Sequence, residues 1–195
     1  MDYTLNLLFV GVGGQGVLTA SDIAAQVGLA LGFDAKKSEI HGFAQRGGVV
    51  ESHIRWAPNV HSPTCEQGTI DILVAFELLE SVRWIHWLAP GGTVIVNLQK
   101  IIPMPVSAEN TRYPDKTVII KELTQRAGKV IAVDALPLAE KAGDVRTVNT
   151  VLLAALATFL KNDPALWENA ILHRVPAKYS EVNLVAFRLG QQAVN

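Results

Sequence analysis

Three observations in the 195-residue sequence predict an α/β fold. Short apolar runs, LNLLFV (5–10), DILVAF (71–76) and TVIVN (93–97), have the length of buried strands and alternate with stretches of helical periodicity. A glycine-bearing turn, GVGGQG at Gly11 to Gly16, directly follows the first run and opens a helix. A second glycine-bearing segment, SEIHGFAQRGG at Ser38 to Gly48, follows the next strand. Together they describe a doubly wound, mostly parallel sheet with flanking helices and a helical C-terminal third, Rossmann-like in outline. Loops at the carboxyl ends of such strands are where these sheets hold ligands.

Leu5 to Val10 reads as a buried strand, and Gln15 to Leu31 as a helix with Val17, Leu18, Ile23, Ala24, Val27 and Leu31 at helical spacing. Val49 to Trp56 alternates, with Val50, Ser52, Ile54 and Trp56 on one face and Glu51, His53 and Arg55 on the other, which predicts a half-buried strand at or near an edge. Asp71 to Phe76 suits the sheet interior; a helix follows through about Leu88, ends at Pro90 to Gly92, and gives way to a strand at Thr93 to Asn97. Pro103, Pro105 and Pro114 mark Gln99 to Lys116 as a long loop. A short strand at Val118 to Ile120, a helix from near Lys121 and a strand at Lys129 to Val133 complete the alternation. The last third reads as three helices: Asp144 to Lys161, one begun by Asp163 and Pro164 that carries Trp167, Ile171 and Leu172, and Tyr179 to Leu189.

With 49% hydrophobic and 18% charged residues, residues 1–195 are expected to form one domain with one substantial core. A net charge of -1 and the lack of a basic stripe argue against nucleic acid as partner. The apolar runs are too short to span a bilayer and MDYTLN does not resemble a secretory signal, so the expected location is cytoplasmic, with no membrane partner. Cys65 is the sole cysteine, so this chain cannot supply the four thiolates of an iron–sulfur cluster. Its surroundings, HSPTCEQG, suit a loop or interface better than a nucleophile.

Gly11, Gly13 and Gly16 satisfy G-x-G-x-x-G, whose glycines permit a tight turn, a close backbone approach to a ligand and close helix–strand packing. Two readings remain open: the loop cradles a phosphate or carboxylate at the helix start, or the glycines serve packing alone. The dinucleotide version expects an acid at the end of the second strand, and here Lys36 and Lys37 occupy that region. In the second segment, Ser38, Glu39, His41, Gln45 and Arg46 support acid–base, structural or ligand-capture readings, the last with Arg46 and loop amides holding an anion. The other histidines lack metal-ligand spacing, and no Walker lysine or G-x-S-x-G is present.

GVGGQGV followed by SEIHGFAQRGGVVESHIR resembles the gamma-type domain of the 2-oxoacid:ferredoxin oxidoreductases, closest to the small (beta) subunit of indolepyruvate ferredoxin oxidoreductase. RTVNTVLLAALATFL, the tryptophan helix and VPAKYSEVNLVAFRLG extend the resemblance to the end of the chain. The resemblance implies a subunit of a complex that oxidatively decarboxylates a 2-oxoacid, such as indolepyruvate or another aryl pyruvate, to an acyl-coenzyme A, with electrons passing to ferredoxin. It implies a large partner subunit carrying thiamine diphosphate, magnesium and the iron–sulfur clusters, with coenzyme A a candidate ligand at the interface and no catalytic residue or metal in this chain. Carried over by position, the family's motifs fall on Gly11, Gly13, Gly14, Gln15 and Gly16, on Ser38, Glu39, His41, Gly42, Gln45, Arg46, Gly47 and Gly48, and on Asn149. Phe43 and Ala44 depart from the Met and Ser of close relatives. The alternative is a self-contained protein that binds coenzyme A or NAD(P).

Overall fold

The computed structural model describes residues 3–41, 48–102 and 112–194, with the backbone alone for His41. Its strands are β1 (Leu5–Val12), β2 (Asp34–His41), β3 (Val49–Ala57), β4 (Ile70–Ala75), β5 (Leu88–Asn97) and β6 (Lys129–Val133). Its helices are α1 (Val17–Ala30), α2 (Leu78–Trp84), α3 (Lys116–Arg126), α4 (Ala135–Ala142), α5 (Val148–Leu160), α6 (Pro164–Arg174) and α7 (Ser180–Val194). No helix among the described residues is long and apolar enough to cross a membrane.

The sheet runs in the order β2-β3-β1-β4-β5-β6. Strands β1, β4, β5 and β6 are mutually parallel, while β3 is antiparallel to both β1 and β2. Two reversals restore the direction of β1 in β2, so the two glycine-bearing segments leave the same edge of the sheet. The Gly13 N–H donates to the Gly48 carbonyl at 2.8 Å and ties them together.

Each sheet face has its own core. On one, Phe9, Ile54 and Val74 meet Ile23 and Val27 of α1, Val151 of α5, Trp167 of α6 and Phe187 of α7. On the other, Leu8, Val10, Leu73 and Val94 meet Leu78 of α2 with Ile119 and Leu123 of α3. Burial on both faces explains why β1 and β4 read as continuous apolar runs.

The α/β expectation holds, with four local corrections. Strand β3 is not half-buried: lying between β2 and β1, it buries Ser52 and Ile54 on one face and Glu51 and His53 on the other. Residues 118–120 form no strand but belong to α3, because Ile119 and Leu123, four apart, share the buried side of a helix and leave Val118 exposed. Helix α4 was not expected from ALPLAEKA; its Pro137 sits in the first turn, where an N–H has no intrahelical acceptor to lose. Strand β5 begins at Leu88 rather than Thr93, absorbing Pro90 to Gly92 through an irregularity opposite Ile70 and Ile72, with Gly91 at φ 80°.

Strand β3 also sets a pH dependence. His53 is fully buried, its Nδ1 accepts the Cys65 N–H at 3.4 Å, and its ring lies edge-on to Trp87 at 5.1 Å. Burial pushes its pKa below the usual 6.5, so below that pH the unfolded chain takes up a proton that the folded chain resists. His53 therefore contributes stability that is present above pH 6.5 and lost as pH falls. Burial raises the carboxyls of Glu51 and Glu80, and these act in the opposite sense. Against that background, His53→Phe is expected to flatten the fall in melting midpoint between about pH 6.5 and 5. Equal slopes in wild type and variant would contradict the assignment. Cys65, 4% exposed, has its thiol pushed up to about 11 by burial, which suits a structural residue rather than a nucleophile.

Candidate functional site

The loop between β1 and α1 is shaped by glycine at two positions where another residue would strain. Gly14 has φ 103° and Gly16, the residue preceding α1, has φ 75°. Among the described residues no side chain caps α1, and its first N–H groups are of the kind that bind an anion from outside the helix. Gln15 stitches the loop to the sheet: its Oε1 accepts the Val12 N–H at 2.8 Å and its Nε2 donates to the Phe76 carbonyl at 2.8 Å. Asn97, at the end of β5, donates to the same carbonyl at 3.0 Å, so the carboxyl ends of three neighbouring strands are cross-linked.

Two adjoining clefts of about 260 and 450 Å³ lie at this edge, and both are bordered by Gly14 and Arg146. The smaller is lined by Gly16, Thr19, Asn149, Tyr179 and Asn183, the larger by Gly13, Gln15, Gln99, Ile101 and Leu136. Asn149 Nδ2 reaches the Gly16 carbonyl at 3.4 Å, its Oδ1 accepts the Thr150 N–H at 2.9 Å, and Thr150 donates to Asn183 Oδ1 at 2.6 Å. This chain of bonds holds the start of α5 against the start of α1.

Arg146 is the charged residue that borders both clefts. Arg146 bonds Asp144 bidentately, Nε to Oδ1 at 2.9 Å and Nη2 to Oδ2 at 2.5 Å, and its guanidinium lies 4.6 Å from the Tyr179 ring centroid. The Arg146 hydrogen bonds hold the Asp144 carboxyl at about 2. Lys178 Nζ lies 4.8 Å from the Tyr179 ring centroid, and this lysine, ahead of Arg146, lowers the phenol's pKa. A cleft bordered by glycine backbone, the start of a helix and the Asp144-paired Arg146 suits a polar ligand with an anionic group.

Of the site residues expected from sequence, Gly13, Gly14, Gln15, Gly16 and Asn149 line these clefts. Gly11 lies beneath, where a Cβ would stand 2.8 Å from that of Phe76 and 2.9 Å from Val17 Cγ2. Gly48 supplies the carbonyl that joins the loops. Ser38 is outside both linings, opposite His53 within the sheet. Gly42, Gln45, Arg46 and Gly47 lie outside the described residues, as does the His41 side chain. Asp144, Arg146 and Tyr179 were not anticipated as site residues, although Arg146 and Tyr179 fall within the RTVNTV and VPAKYS stretches already singled out.

Among the described residues, no group of three or more His, Cys, Asp or Glu side chains is placed to share a metal ion. The NAD(P) alternative meets a topological obstacle, because β3 separates β1 from β2 and moves the second strand's end one strand away from the glycine loop. Lys37 at that strand is engaged by Asp22 and Glu39, and Lys36 by Asp34.

Residues 6–193 match the family described as pyruvate ferredoxin/flavodoxin oxidoreductase. The chain belongs to this family. It is 38% identical to the indolepyruvate oxidoreductase subunit IorB of Archaeoglobus fulgidus over 98% of this chain and 96% of that one. Among solved structures it is similar to the gamma subunit of a keto/oxoacid ferredoxin oxidoreductase from Geobacter sulfurreducens, with TM-score 0.71 at 24% identity over 97% and 98% of the two chains. It is also similar to the 2-oxoglutarate:ferredoxin oxidoreductase of Magnetococcus marinus solved with 2-oxoglutarate, coenzyme A and succinyl-CoA, with TM-score 0.67 at 19% identity; the match takes in 100% of this chain and 31% of that one. Within the pyruvate ferredoxin/flavodoxin oxidoreductase family, then, this chain matches an IorB subunit over 98% of its length and shares the fold of a gamma subunit.

Proposed function

We propose that this chain, acting as one domain, is the small subunit of a thiamine diphosphate-dependent 2-oxoacid:ferredoxin oxidoreductase acting on indolepyruvate or another aryl pyruvate. The observation that carries this reading is the likeness to the indolepyruvate oxidoreductase subunit IorB over 98% of this chain and 96% of that one. Oxidative decarboxylation needs an electron sink and a carrier for the acyl carbanion. With one buried cysteine, this chain cannot house a cysteine-ligated cluster alone, so thiamine diphosphate, magnesium and the clusters are assigned to a large partner subunit.

Coenzyme A fits the paired clefts in chemical class. Its phosphates are anionic, and the clefts offer the backbone at Gly14, the start of α1 and the cation Arg146, with Lys178 behind Tyr179. When bound, its thiol would supply the acceptor for the acyl group. This chain's part is to bind and orient: Asp144 and Tyr179 hold Arg146 in place, and Gln15 keeps the loop fixed to the strand ends.

Co-expression with the large subunit tests the reading. Purified alone, this chain is expected to show no 2-oxoacid-dependent reduction of ferredoxin or viologen, and the assembled pair is expected to turn over indolepyruvate. Steady turnover by the isolated chain, or a pair that assembles and lacks activity on aryl pyruvates, would count against it. Arg46→Ala is expected to lower the rate of the complex about tenfold or more, as loss of a charge-assisted contact does, with the melting midpoint of the isolated chain unchanged. A complex of undiminished rate would remove Arg46 from the working surface.

A further inference from the structure

The β2–β3 hairpin carries a buried acid on the sheet face that holds Leu8 and Val10. Val49, Glu51 and His53 alternate onto this face, and the register sets Glu51 directly between Val10 of β1 and Ile40 of β2. Glu51 is 8% exposed, yet its Oε2 has no hydrogen-bond partner among the described residues. On the same face beside it, Ile40 and Val49 are 49% and 38% exposed and form a small apolar rim.

A buried carboxyl oxygen without a partner, such as Glu51 Oε2, is costly, and buried polar groups are nearly always paired. Among the described residues, the cations of β2 and β3 are engaged elsewhere: Lys37 with Asp22 and Glu39, Lys36 with Asp34, and Arg55 with Asn6 and the Ser62 carbonyl. Burial raises the Glu51 pKa, and an incoming cation would oppose that shift by favouring the ionised form.

We propose that Ile40, Val49 and Glu51 form a docking point for a lysine or arginine side chain of the large subunit, with Glu51 as its counter-ion. This rests on the small-subunit reading above. The chemistry selects the occupant: a carboxylate calls for a cation, and an apolar rim accommodates the aliphatic stem of Lys or Arg while excluding water from the pair. The position is continuous with the edge from which the second glycine-bearing segment departs.

The test measures the dissociation constant of the large subunit for wild-type, Glu51→Gln and Ile40→Ser chains, alongside the melting midpoint of each chain alone. Glu51→Gln preserves shape and is expected to weaken assembly about tenfold or more, because it removes a desolvated charge from its partner. In isolation it should melt at or above the wild-type midpoint. Ile40→Ser is expected to weaken assembly less. Wild-type affinity in Glu51→Gln overturns the docking point and leaves the subunit reading intact. A lowered midpoint for isolated Glu51→Gln also overturns it, since the carboxyl's partner would then lie within this chain. A wild-type chain that does not assemble with the large subunit overturns the subunit reading and the docking point together.

Discussion

Trp56→Ala is expected to destabilise the isolated chain by about 3–5 kcal/mol, the range for truncating a fully buried large aromatic. Trp56 has no solvent exposure, stacks on Phe33 with ring centroids 6.0 Å apart, and lies so close to α1 that a Cβ on Gly28 would stand 2.5 Å from its Nε1. The indole therefore fills the space between the β2–β3 hairpin and α1. Domains of this size are stable by about 5–15 kcal/mol, so the change removes a large part of the margin. At about 2–4 °C per kcal/mol for chains of 150–250 residues, the melting midpoint should fall by roughly 10 °C. Trp56→Phe makes a useful control. The indole N–H is buried without a partner among the described residues, so removing it offsets part of the lost packing, and the cost should stay at about 1–2 kcal/mol. A loss below about 1 kcal/mol in Trp56→Ala would show that α1 does not rest on this side chain.

Local rules in the sequence predict the β1–loop–α1 unit well. Gly14 and Gly16 have the left-handed conformations that make glycine the natural residue there, and the apolar run before them is a strand buried on both faces. The same rules misread β3. Its Glu51, Ser52 and His53 are residue types that alternation assigns to solvent, and only its position between two other strands puts them inside. Residues 118–120 were misread because a β-branched run carries strand propensity, whereas the pairing of Ile119 with Leu123 on one helix side shows only once β4 and β5 are in place beneath. The clefts were half legible. Their glycine wall follows from a motif, but the opposing wall of Asp144, Arg146 and Tyr179 arrives from more than a hundred residues downstream, and no local spacing links it to Gly14. The resemblance reached these stretches without assigning Arg146 or Tyr179 a role.

Gly16→Ala and Gly14→Ala should separate the packing role of the glycine loop from its ligand role, because the two positions share positive φ and differ in space. At Gly14 no heavy atom lies within 4 Å of a built Cβ, so the cost is the left-handed backbone alone, about 1–2 kcal/mol. At Gly16 the same backbone cost is joined by a collision, with the new Cβ 2.7 Å from Asn149 Nδ2. Asn149 is 6% exposed and held by Thr150, so it cannot easily withdraw, and the total is expected to reach about 3 kcal/mol or more. Combining Gly16→Ala with Asn149→Ala removes the obstruction. The double variant should therefore be more stable than the sum of the single losses implies, with a coupling of about 1 kcal/mol or more. Strict additivity would mean that the loop moves away from α5 rather than pressing on it. Because Gly14 borders both clefts, Gly14→Ala should have its larger effect on the assembled enzyme, raising the KM for coenzyme A at a nearly unchanged melting midpoint once the backbone cost is allowed for. If Gly14→Ala leaves that KM unchanged while Gly16→Ala still unfolds readily, the loop serves the packing of α1 against α5, and the anion belongs elsewhere.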